Sequence, residues 1–297
     1  MTHNTILNVA QHRYASVKAR YPTEGRRKLR LRVLYESWPT IGSVSASDTP
    51  LDTAFETDAD PFDEFLEDDE IGIVIRTDFS NDDAWDAFIQ NFQASQKELL
   101  SDLAGGDSEI QQAGTSNADN DGDIGMKDAS RTESAATTNT STENDDSDSS
   151  SSMPDMITIL DPSDPADRAR FANLSNIGAL RIFNDVDIRL APTRPAGTKQ
   201  ISPQDPLIDI GGWQEIYTGK TIWIYDEQSN TDDCLRLVSQ AGDFYGTATG
   251  DSWRARASHI CELQFSTSYQ GMSIDFSGLD KWDWNERVRN LSESGII

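Results

Sequence analysis

"IGIVIRTDFSNDDAW", residues 71–85, changes pattern halfway along. Up to Phe79 it is short, β-branched and continuously apolar apart from "RTD", the signature of a strand buried on both faces. From Ser80 the period lengthens. Trp85, Phe88, Ile89 and Phe92 recur at the spacing of one helical face. Ser80 is a good N-cap, and Asp83 stands three residues on, as in a capping box. The stretch predicts a β-α unit, and a chain that enters its core this way belongs to the α/β class, with α+β as the alternative.

Most of the motif occurs twice. "DFSNDDAWD" (78–86) returns as "DFSGLDKWD" (275–283), identical at six of nine positions. Ser277, Asp280 and Trp282 take the places of Ser80, Asp83 and Trp85. Every repeated residue has a part in starting a helix, and a cap is worth about 1 kcal/mol. Ser80, Asp83, Ser277 and Asp280 are therefore expected as structural caps, with "MSIDF" (272–276) as the strand leading into the second copy.

Between the copies, "MITIL" (156–160) reads as a strand and "DPSDPADRARFANLS" as a short capped helix with Pro165 near its first turn. "ALRIFNDVDIRLA" is expected to be extended, and the proline-rich Pro192–Pro206 to be a loop. "KTIWIYDE", "DCLRLVSQ" and "DFYGTATG" (220–250) are expected as three strands, the last two a hairpin, and "SWRARASHICEL" as a helix. Together these predict a mixed sheet of about five to seven strands with flanking helices.

Residues 101–155 interrupt this pattern. They are rich in Ser, Thr, Asn, Asp and Gly, close on "TENDDSDSSSS", and are too poor in apolar residues to offset chain entropy. A disordered acidic insertion is expected, in which Thr142 would suit an acid-directed kinase. The organisation that follows is a basic then acidic, partly disordered N-terminal extension (1–70) and one discontinuous domain (71–100 and 156–297).

The net charge of −26 disfavours nucleic acid and anionic membrane surfaces and favours a basic protein partner. Apolar runs are too short to span a bilayer. Cys234 and Cys261 have no metal-ligand spacing and read as free thiols, so a reducing compartment, most simply the cytoplasm, is expected. The basic "HRYASVKARYPTEGRRKLRLR" leaves two readings open: a mitochondrial or nuclear address, or an arm or first strand ("LRLRVLY", 29–35) whose charge meets the acidic "DADPFDEFLEDDE" at 58–70.

Chemical signals are sparse. Asp78, Asp161 and Asp226 each close a strand, and the carboxyl ends of parallel strands are where α/β folds bind ligands. Convergent, the three would hold Mg²⁺ and act on a phosphate; apart, they are turn residues. "GGWQEIYTGKT" (211–221) is not a phosphate loop, because six residues instead of four separate Gly212 from Gly219 and Lys220 leads into a strand. His3, His12 and His259 form no triad with Cys261 or Ser258.

"IVIRTDFSNDDAW", "TIWIYDEQSNTDDCLRLVSQ" and "GMSIDFSGLDKWDWNERV" resemble segments of a bacterial and fungal domain-of-unknown-function family, of the 6924 type, whose members open on RTDFS-x-x-x-AW. The resemblance covers residues 71–100 and 156–297 and implies one compact domain. It transfers no catalytic residue. The expected function is a non-catalytic interaction or regulatory module without a cofactor. The alternative is a divalent-metal-dependent enzyme acting on a phosphate-containing small molecule, with Mg²⁺ held by Asp78, Asp161 and Asp226.

Overall fold

In a computed structural model, the protein is described over residues 2–38, 54–66, 71–112, 156–193, 196–197, 204–242, 248–276 and 283–297. The chain opens with helices α1 (Thr2–Arg20), α2 (Arg26–Ser37) and α3 (Ala54–Thr57). Strand β1 (Gly72–Arg76), helix α4 (Asp82–Gln112) and strand β2 (Ile157–Leu160) follow. Next come α5 (Pro165–Phe171), α6 (Asn176–Phe183), β3 (Asp185–Leu190), β4 (Trp213–Thr218), β5 (Thr221–Tyr225) and α7 (Ser229–Asp232). Strands β6 (Cys234–Val238) and β7 (Ser252–Arg256) and helices α8 (Ile260–Tyr269) and α9 (Trp284–Glu293) complete the order.

The class is α/β. A mixed five-stranded sheet has the order β2-β1-β5-β6-β7, and β3 and β4 form a separate two-stranded antiparallel ribbon. β1 pairs in parallel with both β2 and β5, whereas β5–β6 and β6–β7 are antiparallel. β1 is buried along its whole length, as its continuous apolar run requires. Its two faces meet different layers. Ile73 and Ile75, with Ile222 and Ile224 of β5, join the main core alongside Tyr14, Leu29 and Leu180. On the other face, Tyr225 meets the rings of Trp85 and Phe88 from α4 at 4.8 and 5.3 Å, and Trp223 Nε1 donates to Gln264 of α8 at 2.8 Å.

Several local readings are corrected by packing. "LRLRVLY" is helical, within α2. Its L-R-L-R alternation fits a strand, but the helix lets Leu29, Leu31, Val33 and Leu34 bury together, while Arg30 reaches the Phe55 carbonyl and Arg27 reaches Asp60 and Asp63. Lys18 pairs with Asp58 at 2.6 Å. The basic segment thus meets the acidic one, and the described residues before β1 are no separate extension: Val9, Tyr14, Val17 and Phe55 lie in the main core. One compact unit spans Met1–Lys97 and Pro154–Ile297; Glu98–Met153 form a second.

The start of the expected disordered insertion, 101–112, continues α4 as helix, while Thr142 and the rest of it lie outside the described residues. "ALRIF" completes α6, since its apolar face packs into the core, and only "DVDIRL" is extended. "SWRAR" is not helical but is β7, the hairpin partner of β6, because its alternation continues the sheet. "MSIDF" forms no strand. β4 lies within "GGWQEIYTGKT", where no strand is expected from the sequence before Lys220, and Gly219 (φ 137°) turns it into β5, where a Cβ would stand 2.5 Å from Asn184 Oδ1.

The first cap falls one residue late. Asn81 Oδ1 accepts from Ala84 N at 3.1 Å, whereas Ser80 N and Oγ both donate to Asp78 Oδ2. The chain leaves the strand through an Asx turn on Asp78, which uses Ser80 and hands the cap to Asn81. Asp83 accordingly sits in the first helical turn near the positive end of α4. Ser277, Asp280 and Trp282 lie outside the described residues. α9 begins after them, capped by Asp283, whose Oδ1 accepts from Glu286 N at 2.9 Å.

Candidate functional site

β1 sends the chain to β2 on one flank, and the return path reaches β5 on the other, so the carboxyl end of β1 is a topological switch point. Thr77 N and Oγ1 both donate to the Tyr225 carbonyl at 2.9 Å, which extends the β1–β5 pairing to the rim. Because β2, β1 and β5 are adjacent and parallel, Asp161, Asp78 and Asp226 follow one another along this rim. Adjacency of strands does not make the carboxylates converge. Each turns to donors of its own, and among the described residues no three acidic, His or Cys side chains come together as a metal-holding group.

Asp78 Oδ2 takes Ser80 and, at 2.7 Å, Asn230 Nδ2. Burial pushes its carboxyl up, but the Ser80 and Asn230 hydrogen bonds prevail and hold it below the ordinary value. Asp161 accepts from Trp85 Nε1 at 2.8 Å and lies 3.4 Å from Arg76 Nη1. Arg76 is only 2% exposed. Its guanidinium lies about 5 Å from both the Phe79 and Trp85 ring centres, bonds the Asp78 carbonyl at 3.0 Å and pairs with Asp82. A cation therefore already stands beside Asp161.

Asp226 is the most heavily engaged of the three. Arg236 of β6 and Arg254 of β7 are directly opposed in the sheet register, a like-charge juxtaposition that repels unless an acid is shared. Asp226 is that acid. Its Oδ2 lies 3.0 Å from Arg236 Nε and 2.9 Å from Arg254 Nη1, and its Oδ1 accepts from Arg254 Nη2 at 3.1 Å and from Ser229. Asp232 holds the far side of Arg254 at 3.0 Å, and Glu286 holds Arg236 at 2.9 Å. Burial again pushes the Asp226 carboxyl up, but the two arginines hold it below its usual value. The same bonds outweigh burial at Arg254 and raise it.

A cavity of about 800 Å³ opens over this network. Asp226, Glu227, Asp232, Asp283 and Glu286 supply its carboxylates, and Arg236, Arg254 and Arg289 its guanidiniums. All three guanidiniums are occupied: Arg289 bonds Glu293 at 2.9 Å and both the side chain and the carbonyl of Asn173. Glu227 is exposed, and among the described residues nothing pairs with its carboxylate. Trp284 stands at the rim, 60% exposed.

The arginines of this site escaped the reading of strand-end carboxylates, yet the two on strands leave a signal. An Arg flanked by apolar residues within a strand, Arg236 in "CLRLV" and Arg254 in "SWRAR", marks a buried cation that needs an acid within reach. His259 is exposed on the surface, 3.6 Å from Glu262, and Cys234 and Cys261 are not joined in a disulfide. Among the described residues no helix is long and apolar enough to cross a membrane. Compared with known proteins, the chain matches no family model, no curated protein and no solved structure.

Proposed function

We propose that the protein is a non-catalytic interaction module for a basic partner, and that the cavity at the carboxyl edge of the sheet receives one of that partner's cationic side chains. The observation that carries this reading is the imbalance of spent and unspent charge in the cavity wall. Every guanidinium there is already bonded to a carboxylate or carbonyl, so an anionic ligand finds no cation to claim, whereas Glu227 is exposed and unpaired among the described residues. Asp283 uses Oδ1 as a helix cap and keeps Oδ2 for a ligand. Trp284 stands 60% exposed at the rim, where an aromatic ring adds to the recognition of a guanidinium or ammonium group. The chain's net charge of −26 steers such a partner inward. Cys234 and Cys261, which form no disulfide, support a reducing compartment, most simply the cytoplasm.

An oligo-arginine peptide titrated into the full chain tests this by fluorescence anisotropy. The double variant Glu227→Gln/Asp283→Asn keeps the cap, because Asn caps as well as Asp. It should bind at least about tenfold more weakly than the parent, a difference of 1.4 kcal/mol. Equal binding by both would place the contact elsewhere in this acidic chain, and the cavity reading would fail.

One observation keeps the metal-dependent reading alive as a second proposal: Asp161, Asp78 and Asp226 stand on three adjacent parallel strands. What weighs against it is the company of each carboxylate, above all Arg76 beside Asp161 and two guanidiniums on Asp226.

A further inference from the structure

Helix α9 is docked inside out. A surface helix ordinarily buries an apolar stripe and shows water its polar face. α9 instead buries Glu286, Arg287 and Asn290 and leaves Trp284 and Val288, one turn apart, 60% and 49% exposed. Its inward groups meet polar partners throughout. Glu286 Oε1 accepts from Asn176 N at 2.7 Å and Asn290 Oδ1 from Ile177 N at 3.1 Å, so two side chains of α9 satisfy first-turn amides of α6 that have no partner within their own helix. Asn290 Nδ2 donates to the Gly250 carbonyl at 3.0 Å, Arg287 pairs with Asp251 at 3.0 Å, and Glu286 with Arg236 at 2.9 Å.

Such a dock gains little over water. Its hydrogen bonds replace bonds to solvent, its ion pairs must first be desolvated, and Leu291, which packs on the core, is only partly buried. Beyond the helix the attachment differs. Arg181 donates to the carbonyls of Ser294 and Ile296 at 2.7 Å each, and Tyr35 Oη donates to Ser294 at 2.7 Å. The body of α9 is therefore held mainly through polar contacts, while the segment after it is tied to Arg181, whose side chain is 11% exposed, and packs Ile297 against the core.

We infer that α9 is a latch: it undocks and unwinds locally about its clamped end while the sheet stays folded. A ten-residue helix is marginal alone, so undocking and unwinding coincide. The latch controls the cavity, because Trp284, Asn285, Glu286 and Arg289 of α9, together with its cap Asp283, line it. Opening α9 removes that wall; docking rebuilds it. The docking contacts carry this inference whatever the cavity binds.

Amide hydrogen exchange on the full chain, read by mass spectrometry, tests it. In the parent, residues 286–293 should exchange at least about a hundredfold faster than β1 and β5, since local opening requires less free energy than global unfolding. Asn290→Ala deletes two of the docking bonds and should accelerate α9 about tenfold more while leaving β1 and β5 unchanged. Exchange of α9 and β1 with one common rate in the parent would overturn the latch, as would α9 rates indifferent to Asn290→Ala. The comparison within the parent decides the matter even if the variant folds poorly.

Discussion

Asp226→Asn should cost about 3 kcal/mol at pH 7, because it removes the one charge shared by two opposed arginines. The substitution leaves Oδ1 able to accept from Ser229, so the turn after β5 survives. What is lost are the charge-assisted contacts from Arg254 at 2.9 and 3.1 Å and from Arg236 at 3.0 Å. Breaking one partner of a buried ion pair costs about 3–5 kcal/mol. The lower end applies, since Asp232 still holds Arg254 and Glu286 still holds Arg236. For a domain of this size the midpoint should fall by about 6–12 °C.

The pH dependence supplies the second half of the test. Arg254 and Arg236 hold the folded Asp226 carboxyl below its ordinary value, so its contribution is fully present above the unfolded value near ~3.9 and is lost as pH falls through the depressed folded value. Urea unfolding of parent and variant should therefore show a constant gap between pH 7 and about 5 that narrows below about 4. A gap under about 1 kcal/mol at pH 7, within the range of an exposed pair, would refute the keystone role of Asp226. So would a gap that does not narrow in acid.

Other consequences are equally direct. Asn81→Ala should cost about 1 kcal/mol through the lost cap on α4, and Ser80→Ala less; the reverse order in thermal unfolding would put the cap back on Ser80. Burial raises the Asp205 carboxyl above its usual value, against the opposing bonds from Leu207 N and Ser294, so the fold gains stability as pH falls through that raised value. Asp205→Asn should accordingly raise the melting temperature at pH 7 and lose the advantage in acid; a lowered midpoint at pH 7 would contradict this. Millimolar Mg²⁺ should shift the midpoints of the parent and of Asp78→Asn/Asp161→Asn equally. A rise confined to the parent would establish a metal site and revive the enzyme reading.

Local pattern was enough wherever one residue type and one period had a single physical solution. The continuous run at 71–76 reads as a doubly buried strand without further help, and the one-face spacing of Trp85, Phe88 and Phe92 reads as the helix that covers it. Asp78, Asp161 and Asp226 are legible as strand-closing residues for the same reason. Pattern failed where two periods fit the same letters. "LRLRVLY" and "SWRAR" both alternate, yet the first is helix and the second strand, because what decides is whether Arg27 and Arg30 find Asp60, Asp63 and Asp185, or Arg254 finds Asp226 across the sheet.

The nonapeptide repeat marks the limit most clearly. Similar letters lead from β1 into a helix at the first copy, yet at the second no strand precedes, residues 277–282 lie outside the described residues, and α9 is capped by Asp283. The difference lies outside the motif: β1 is flanked on both sides by parallel strands that satisfy its backbone, whereas 272–276 join no sheet. Tertiary structure alone also decided that the three strand-end aspartates would follow one another along a rim while each turns to distant donors of its own, Asn230 for Asp78, Trp85 for Asp161 and Arg254 for Asp226. Sequence determines which groups must be buried and paired; only the fold, by bringing distant charges within hydrogen-bonding reach, determines with which partner.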